Sequence, residues 1–273
     1  MKTLTIIAKK EVQNALASSW LITYAAVFAL LALALSYMGE RNLGSIGFEN
    51  FSRTTASLLN LCLILAPLVA LLLGSGAIAG ERDRGTLMYL LAQPLERWQL
   101  LLGKYVGVAT SIALATMLGF GLAGVWIAVM TSSMAAGTYL LFVGLVLALV
   151  FVMTGIGLVA SVVSRTRVQA LGLALLAWAV AVFFFDLVLI GMVSSTSLGG
   201  GGLLLALLLN PVEIVRVLAI IHLEPDLQVL GPFGGYLMER TGVAGATVIL
   251  GAALTVWTVV PVSVAAYLFG RDE

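Results

Sequence analysis

Charge is the first thing this sequence lacks. Only 10% of its 273 residues are Asp, Glu, Lys or Arg, where a soluble domain carries about a quarter. That shortage excludes a water-soluble fold, because too little polar material remains to cover a chain that is 61% hydrophobic. Cysteine is almost absent as well. Cys62 stands alone inside an apolar run, so no internal disulfide framework exists. One cysteine and one histidine, His222, cannot make an ordinary structural zinc site. A G-x-x-x-x-G-K-[ST] phosphate loop is missing, since Gly103-Lys104 runs into Tyr105 without an earlier glycine at the required spacing. Paired catalytic carboxylates, a nucleophile elbow and an H-E-x-x-H run are missing too, so nothing points to an enzyme. The net charge of +1 gives no reason to expect a nucleic-acid partner.

What is present is apolar sequence in long blocks, and runs of about 18 or more such residues read as spans of a lipid bilayer. Spans are expected at 20–38, 55–79, 105–129, 138–163, 168–193 and 243–269. Pro67 falls near the middle of the second and Pro261 in the last third of the sixth, where each removes a helix hydrogen bond. Trp20, Tyr24 and Tyr37 suit the two interfaces of the first span. The 29 glycines fit helices that pack closely in lipid. Gly155 and Gly157 would permit a close approach without identifying the surface that makes it.

Residues 1–19 place Leu4, Ile7, Ala8, Val12, Ala15 and Leu16 at spacings of three and four, with Lys2, Lys9 and Lys10 largely elsewhere. That pattern is an amphipathic helix with a basic side, suited to the membrane surface. Its length and patterning favour an uncleaved first span over a signal peptide, although Ala32-Leu33-Ala34 resembles a cleavage site. Segment 194–242 is expected outside the membrane or re-entrant. Gly201–Asn210 would span about 15 Å as a helix, half of what a crossing needs. Val212–Leu223, with Glu213 and Arg216 among apolar residues, reads as an interfacial or re-entrant helix.

Placing 1–19, 80–104, 164–167 and 270–273 in the cytosol puts ten of the fourteen basic residues there, as the positive-inside rule asks. Both termini are then cytosolic and 194–242 is periplasmic. The fold class expected is an all-α integral membrane protein. It has six transmembrane helices, an amphipathic N-terminal helix, a cytosolic helix between spans 2 and 3, and short external or re-entrant helices before span 6.

The densest charge lies in GERDRGTLMYLLAQPLERWQLLLGK, residues 80–104. Gly85-Thr86 breaks and restarts the helix, with Thr86 a candidate N-cap. Leu87, Leu90 and Leu91 give a short apolar side, and Pro94 redirects the chain. This pattern resembles the signature of the ABC-2 type transporter permeases, and the resemblance covers essentially the whole chain. Within that family the length and the Asn210-Pro211 region are most similar to the permeases that serve maturation of nitrous oxide reductase.

The resemblance implies a bacterial inner-membrane homodimer that binds no cofactor itself and works with two cytosolic ATPase subunits, which bind ATP and magnesium. It implies that 81–97 is a coupling helix, with Glu81, Arg82, Gly85, Thr86, Gln93 and Pro94 on the matching positions. It further implies a periplasmic β-helical copper-handling partner and a role in building a copper–sulfur centre.

Asp186 is the one acidic residue deep in a span, where a charge is costly. It is a candidate for lining a transport path, or a structural hydrogen-bonding group. Phe183-Phe184-Phe185 beside it reads as packing or lipid contact. His222, Glu224 and Asp226 look superficially like a metal cluster, but their spacing across a proline favours an acidic solvated rim. A membrane scaffold without transport, and a secondary transporter, are the competing classes. The latter expects several intramembrane ionisable groups and a repeat.

Overall fold

In the computed structural model every described element is helical. The structure describes residues 2–41, 48–93, 96–130, 136–194, 200–223 and 231–271. The helices are α1 (Lys2–Leu16), α2 (Ser19–Arg41), α3 (Phe48–Asp83), α4 (Leu87–Leu91), α5 (Arg97–Met130), α6 (Ala136–Val163), α7 (Arg167–Ala179), α8 (Phe185–Ser194), α9 (Gly200–Leu208), α10 (Pro211–Leu223) and α11 (Gly231–Arg271). A single π turn, Val180–Phe184, joins α7 to α8. Gly242, at φ 63°, interrupts α11 and marks the start of its long apolar part.

Five helical stretches among the described residues are each long and apolar enough to cross a bilayer: Ser57–Asp83, Arg97–Val125, Gly137–Val163, Arg167–Val188 and Arg240–Arg271. Two bent pairs extend the number to as many as seven: Thr5–Leu16 with Ser19–Leu35 at 66°, and Gly201–Leu208 with Pro211–His222 at 117°. The chain is therefore an all-α multi-spanning membrane protein.

Helices pack where side chains are small. α3 and α6 form the most extensive pairing in the bundle. A Cβ on Gly157 would sit 2.6 Å from the Leu71 carbonyl, and one on Gly74 would sit 2.7 Å from the Thr154 carbonyl. Gly157 is thus used within the chain, where backbones approach too closely for any side chain. Ser161 Oγ accepts from the N–H groups of both Ile78 and Ala79 at 2.8 Å, adding polar contacts across the same pair.

At one end of the bundle α2, α5 and α6 share an aromatic cluster of Tyr24, Phe28, Phe120, Tyr139 and Phe142. Gly119 opens the space that the Phe28 ring fills, since a Cβ there would lie 2.3 Å from it. The phenols find partners inside the bundle. Tyr139 donates to the Phe120 carbonyl at 2.6 Å, and Tyr24 shares a 2.9 Å hydrogen bond with the Thr116 hydroxyl.

The 200–223 region is packed into the bundle. Val212, Ile214, Val215, Val217, Leu218, Ala219 and Ile221 of α10 are all buried in the main core. α10 inserts between α6, α11 and α3 because it is apolar on nearly every face. Asn210 holds the break open. Its side-chain oxygen accepts from the Val212 N–H at 3.0 Å, capping α10, and its amide donates to the Ala181 carbonyl in the π turn at 2.7 Å. Pro211 occupies the first helical position, where its missing N–H costs nothing.

Candidate functional site

The end of α3 is closed by a backbone device. Gly85 has φ +71°, its N–H donates to the Arg82 carbonyl at 3.1 Å, and the Thr86 N–H donates to the Glu81 carbonyl at 3.0 Å. These two bonds are the Schellman pair, in which a left-handed glycine satisfies the last carbonyls of a helix. Thr86 is not a side-chain cap for α4. Its backbone is right-handed helical, at φ −80° and ψ −15°, rather than extended. Its hydroxyl turns back to the Glu81 carboxylate. The reversal delivers the five-residue α4 with Leu87 buried beneath it. Met88 and Tyr89 stand 77% and 78% exposed on the tip.

Gln93 is exposed just past α4, and its N–H bonds the Leu90 carbonyl. Pro94 lies outside the described residues. α5 begins at Arg97, eight residues before the expected span, so the segment between α3 and α5 is shorter than 80–104 suggested. Glu96 launches it, with its carboxylate accepting from the Trp98 indole and the Gln99 amide.

Two arginines bind this reversal to distant spans. Arg82 Nη1 donates to the carbonyls of Val162 at 3.1 Å and Ser164 at 2.5 Å, at the end of α6. Arg97 Nη1 donates to the carbonyls of Phe269 at 3.3 Å and Gly270 at 3.4 Å, at the end of α11. A cation at a helix C-terminus meets carbonyls with no intrahelical donor and the negative end of the helix dipole.

Lys104 makes the third tie. It is only 2% exposed, and its ammonium lies 2.7 Å from Glu11 of α1 and 3.5 Å from Glu81 of α3. Gly107, one turn further along α5, lets α1 lie flat against it: a Cβ there would fall 2.4 Å from the Glu11 Cβ. Glu81 also pairs with Arg84 at 3.2 Å. A short exposed tip is thus linked by polar contacts to α1, α3, α5, α6 and α11.

Sequence comparison supplies the context for this tip. The model of the ABC-2 family transporter protein matches residues 5–273. The chain is an ABC-2 family permease. It is similar to a "Probable ABC transporter permease protein NosY" of Stutzerimonas stutzeri, 37% identical over 231 residues, 82% of this chain and 84% of that one. A protein of the same description from Pseudomonas aeruginosa is 34% identical over 277 aligned positions, covering 99% of each chain. The permease is thus a non-catalytic, multi-pass transport subunit, of a class that works in the inner membrane with nucleotide-binding ATPase subunits.

Away from the tip, the permease places Asp186 in the first turn of α8, directly after the π turn. Its Oδ1 lies 3.1 Å from Arg216 Nη1 of α10, and the same nitrogen lies 2.6 Å from Glu213 Oε1. Glu213, expected on an interfacial or re-entrant helix, is 5% exposed. Among the described residues neither Glu213 Oε1 nor Arg216 Nε has an aligned hydrogen-bond partner, so the close Glu213–Arg216 approach is an ion pair of poor angle. Sequence reading placed Asp186 in a span and Glu213 and Arg216 together on a separate short helix. The packing of α10 beside the π turn is what brings Asp186 to Arg216.

Phe183 and Phe184 are exposed, and Phe183 sets its edge against Trp178 at 5.1 Å. His222 bonds the Leu218 carbonyl one turn back at 2.8 Å. Glu224 and Asp226 lie outside the described residues, and no cluster of three or more metal-binding side chains occurs among those described. The sequence missed Glu11 and Lys104 as partners. The signal available was a lone acid on the basic amphipathic helix and a lysine entering an apolar span.

Proposed function

We propose that this permease is the membrane half of an ATP-driven transporter, in which segment 81–97 is the coupling helix. Glu81, Arg82, Gly85, Thr86, Gln93 and Pro94 build or flank the tip that enters the ATPase. One observation carries the reading: an exposed Met88-Tyr89 tip whose base is wired, through Arg82, Arg97 and Lys104, to helices across the bundle. A push on such a tip is delivered to several spans at once. Shifting a two-state equilibrium from 1:99 to 99:1 takes about 5.5 kcal/mol of differential binding, which nucleotide-driven closure of partner subunits would provide.

The membrane layout follows from the same reading. α1 lies on the cytosolic surface, α2 is the first of six spans, and α9–α10 re-enters from the periplasmic side without crossing. Both termini and the α4 tip face the cytosol, where ten of the fourteen basic residues then fall. A second copy completes the transport unit. The Arg167–Val188 stretch, the least covered of the five, offers it a face.

Asp186, a third of whose side-chain surface stays open beside Arg216, is the acidic group proposed to face the transport path. The end-to-end likeness to a protein described as NosY supports the narrower assignment. In that assignment the transporter serves maturation of the copper–sulfur centre of nitrous oxide reductase, with a periplasmic β-helical copper-handling partner.

Mass spectrometry of the intact complex, gently extracted from its native membrane, tests this. Two permeases with two ATPase subunits and a periplasmic copper-handling protein is the expected composition. ATPases without that periplasmic protein, under extraction that preserves such contacts in a control complex, would leave the permease role standing and remove the maturation role. The permease without any ATPase would favour a scaffold.

A further inference from the structure

An open cleft of about 990 Å³ lies beside α4, away from the Lys104 tie. Four arginines line it, Arg82, Arg97, Arg165 and Arg271, and none of its described lining residues is acidic. Its wall is apolar and is made by the ends of two long helices, with Val162 and Val163 closing α6 and Phe269 near the end of α11. Guanidinium groups and the last apolar turns of spanning helices coincide at one level only, the boundary between headgroups and hydrocarbon.

We propose that this cleft binds the phosphodiester headgroup of an anionic phospholipid. The guanidinium fork matches phosphate oxygens bidentately. Three of the four forks are already oriented. Arg82 and Arg97 are held by carbonyls at helix ends, and Arg271 by the Tyr267 hydroxyl at 2.9 Å and by its ring. Orientation before binding lowers the cost of ordering the side chains. A basic pocket between the ends of transmembrane helices is a site for lipid headgroups. The exposed apolar side chain of Val163 suits the acyl chains. An acidic protein segment would answer the arginines but not that apolar wall. The bound lipid would join α6, α11 and the base of α4, bracing the lever where it meets the spans.

The test is native mass spectrometry of the delipidated permease–ATPase complex, titrated with phosphatidylglycerol and separately with phosphatidylcholine. Phosphatidylglycerol is expected to be retained at least fivefold more strongly, and Arg165→Gln with Arg271→Gln is expected to abolish that preference. Lys9→Gln with Lys10→Gln, on the exposed side of α1, is the matched loss of charge and should keep the preference. Thermal unfolding of the double arginine variant is measured alongside. If that variant is misfolded, the single Arg271→Gln change is read instead and should reduce the preference.

Equal retention of both lipids overturns the proposal, as does a preference that survives loss of both arginines. So does displacement by millimolar inorganic phosphate, which would make the cleft a free-phosphate site. Retention only when the ATPase is absent would make the cleft the ATPase's seat and also overturns it. The inference rests on the permease reading for its sample alone. If no ATPase co-purifies, the same titration on the isolated permease separates failure of that reading from failure of lipid binding.

Discussion

Lys104 Nζ sits between Glu11 at 2.7 Å and Glu81 at 3.5 Å, so one buried ammonium holds α1 and the end of α3 against the start of α5. Buried ion pairs are weak evidence of net stability, but removing one member is expensive. Lys104→Met is expected to destabilise the protein by about 3 kcal/mol, because it leaves Glu11 without its cation and Glu81 with Arg84 alone. Adding Glu11→Gln should recover part of that loss. Thermal unfolding in detergent of the two singles and the double gives the coupling, expected at about 1–3 kcal/mol. Strict additivity would mean that Lys104 does not join these helices.

Gly85 is required by its positive φ. Gly85→Ala should cost about 1–2 kcal/mol locally and mis-aim α4, lowering ATPase co-purification while leaving membrane insertion intact. Asn enters the left-handed region more readily, so Gly85→Asn should be the milder change. Equal co-purification by wild type and Gly85→Ala would detach this turn from coupling.

Gly107 sets the contact between α1 and α5. Gly107→Val is expected to push α1 off the bundle, since even a Cβ meets Glu11 and the Ala8 carbonyl at 3.0 Å or less. Limited proteolysis within residues 5–16 should accelerate severalfold. Gly144→Val, at a position with nothing within 4 Å, is the control and should leave the rate unchanged.

Arg216 serves two carboxylates of unequal burial. Arg216→Met strands Glu213 and is expected to cost on the order of 3 kcal/mol. Asp186→Asn keeps the Glu213–Arg216 pair, and the partly open Asp186 side chain limits its stability loss to under about 1 kcal/mol. If Asp186 faces the path, its substitution should depress transport-dependent maturation while barely moving the unfolding midpoint. A large midpoint shift with normal maturation would make Asp186 a structural group.

The sequence determined the class of this protein by itself. Apolar runs long enough to cross a bilayer appear as helices because lipid leaves a backbone no other way to satisfy its polar groups. Gly85-Thr86 was legible as a break for the same kind of reason, since the need for a left-handed residue is local. The break before α10 is local as well, because a proline ring at 211 acts on its own neighbours.

Tertiary structure decided the rest. α10 carries a glutamate and an arginine, yet it lies in the core, where Arg216 meets Asp186 from 30 residues earlier in the chain. Gly157 packs against Leu71 within one chain, a choice its small size permits but cannot specify. Lys104 looked like the end of a charged loop and is instead the buried centre of a three-helix tie. Composition and period act over a few residues, whereas the partner of a charge is fixed only when helices from distant parts of the chain have packed around it.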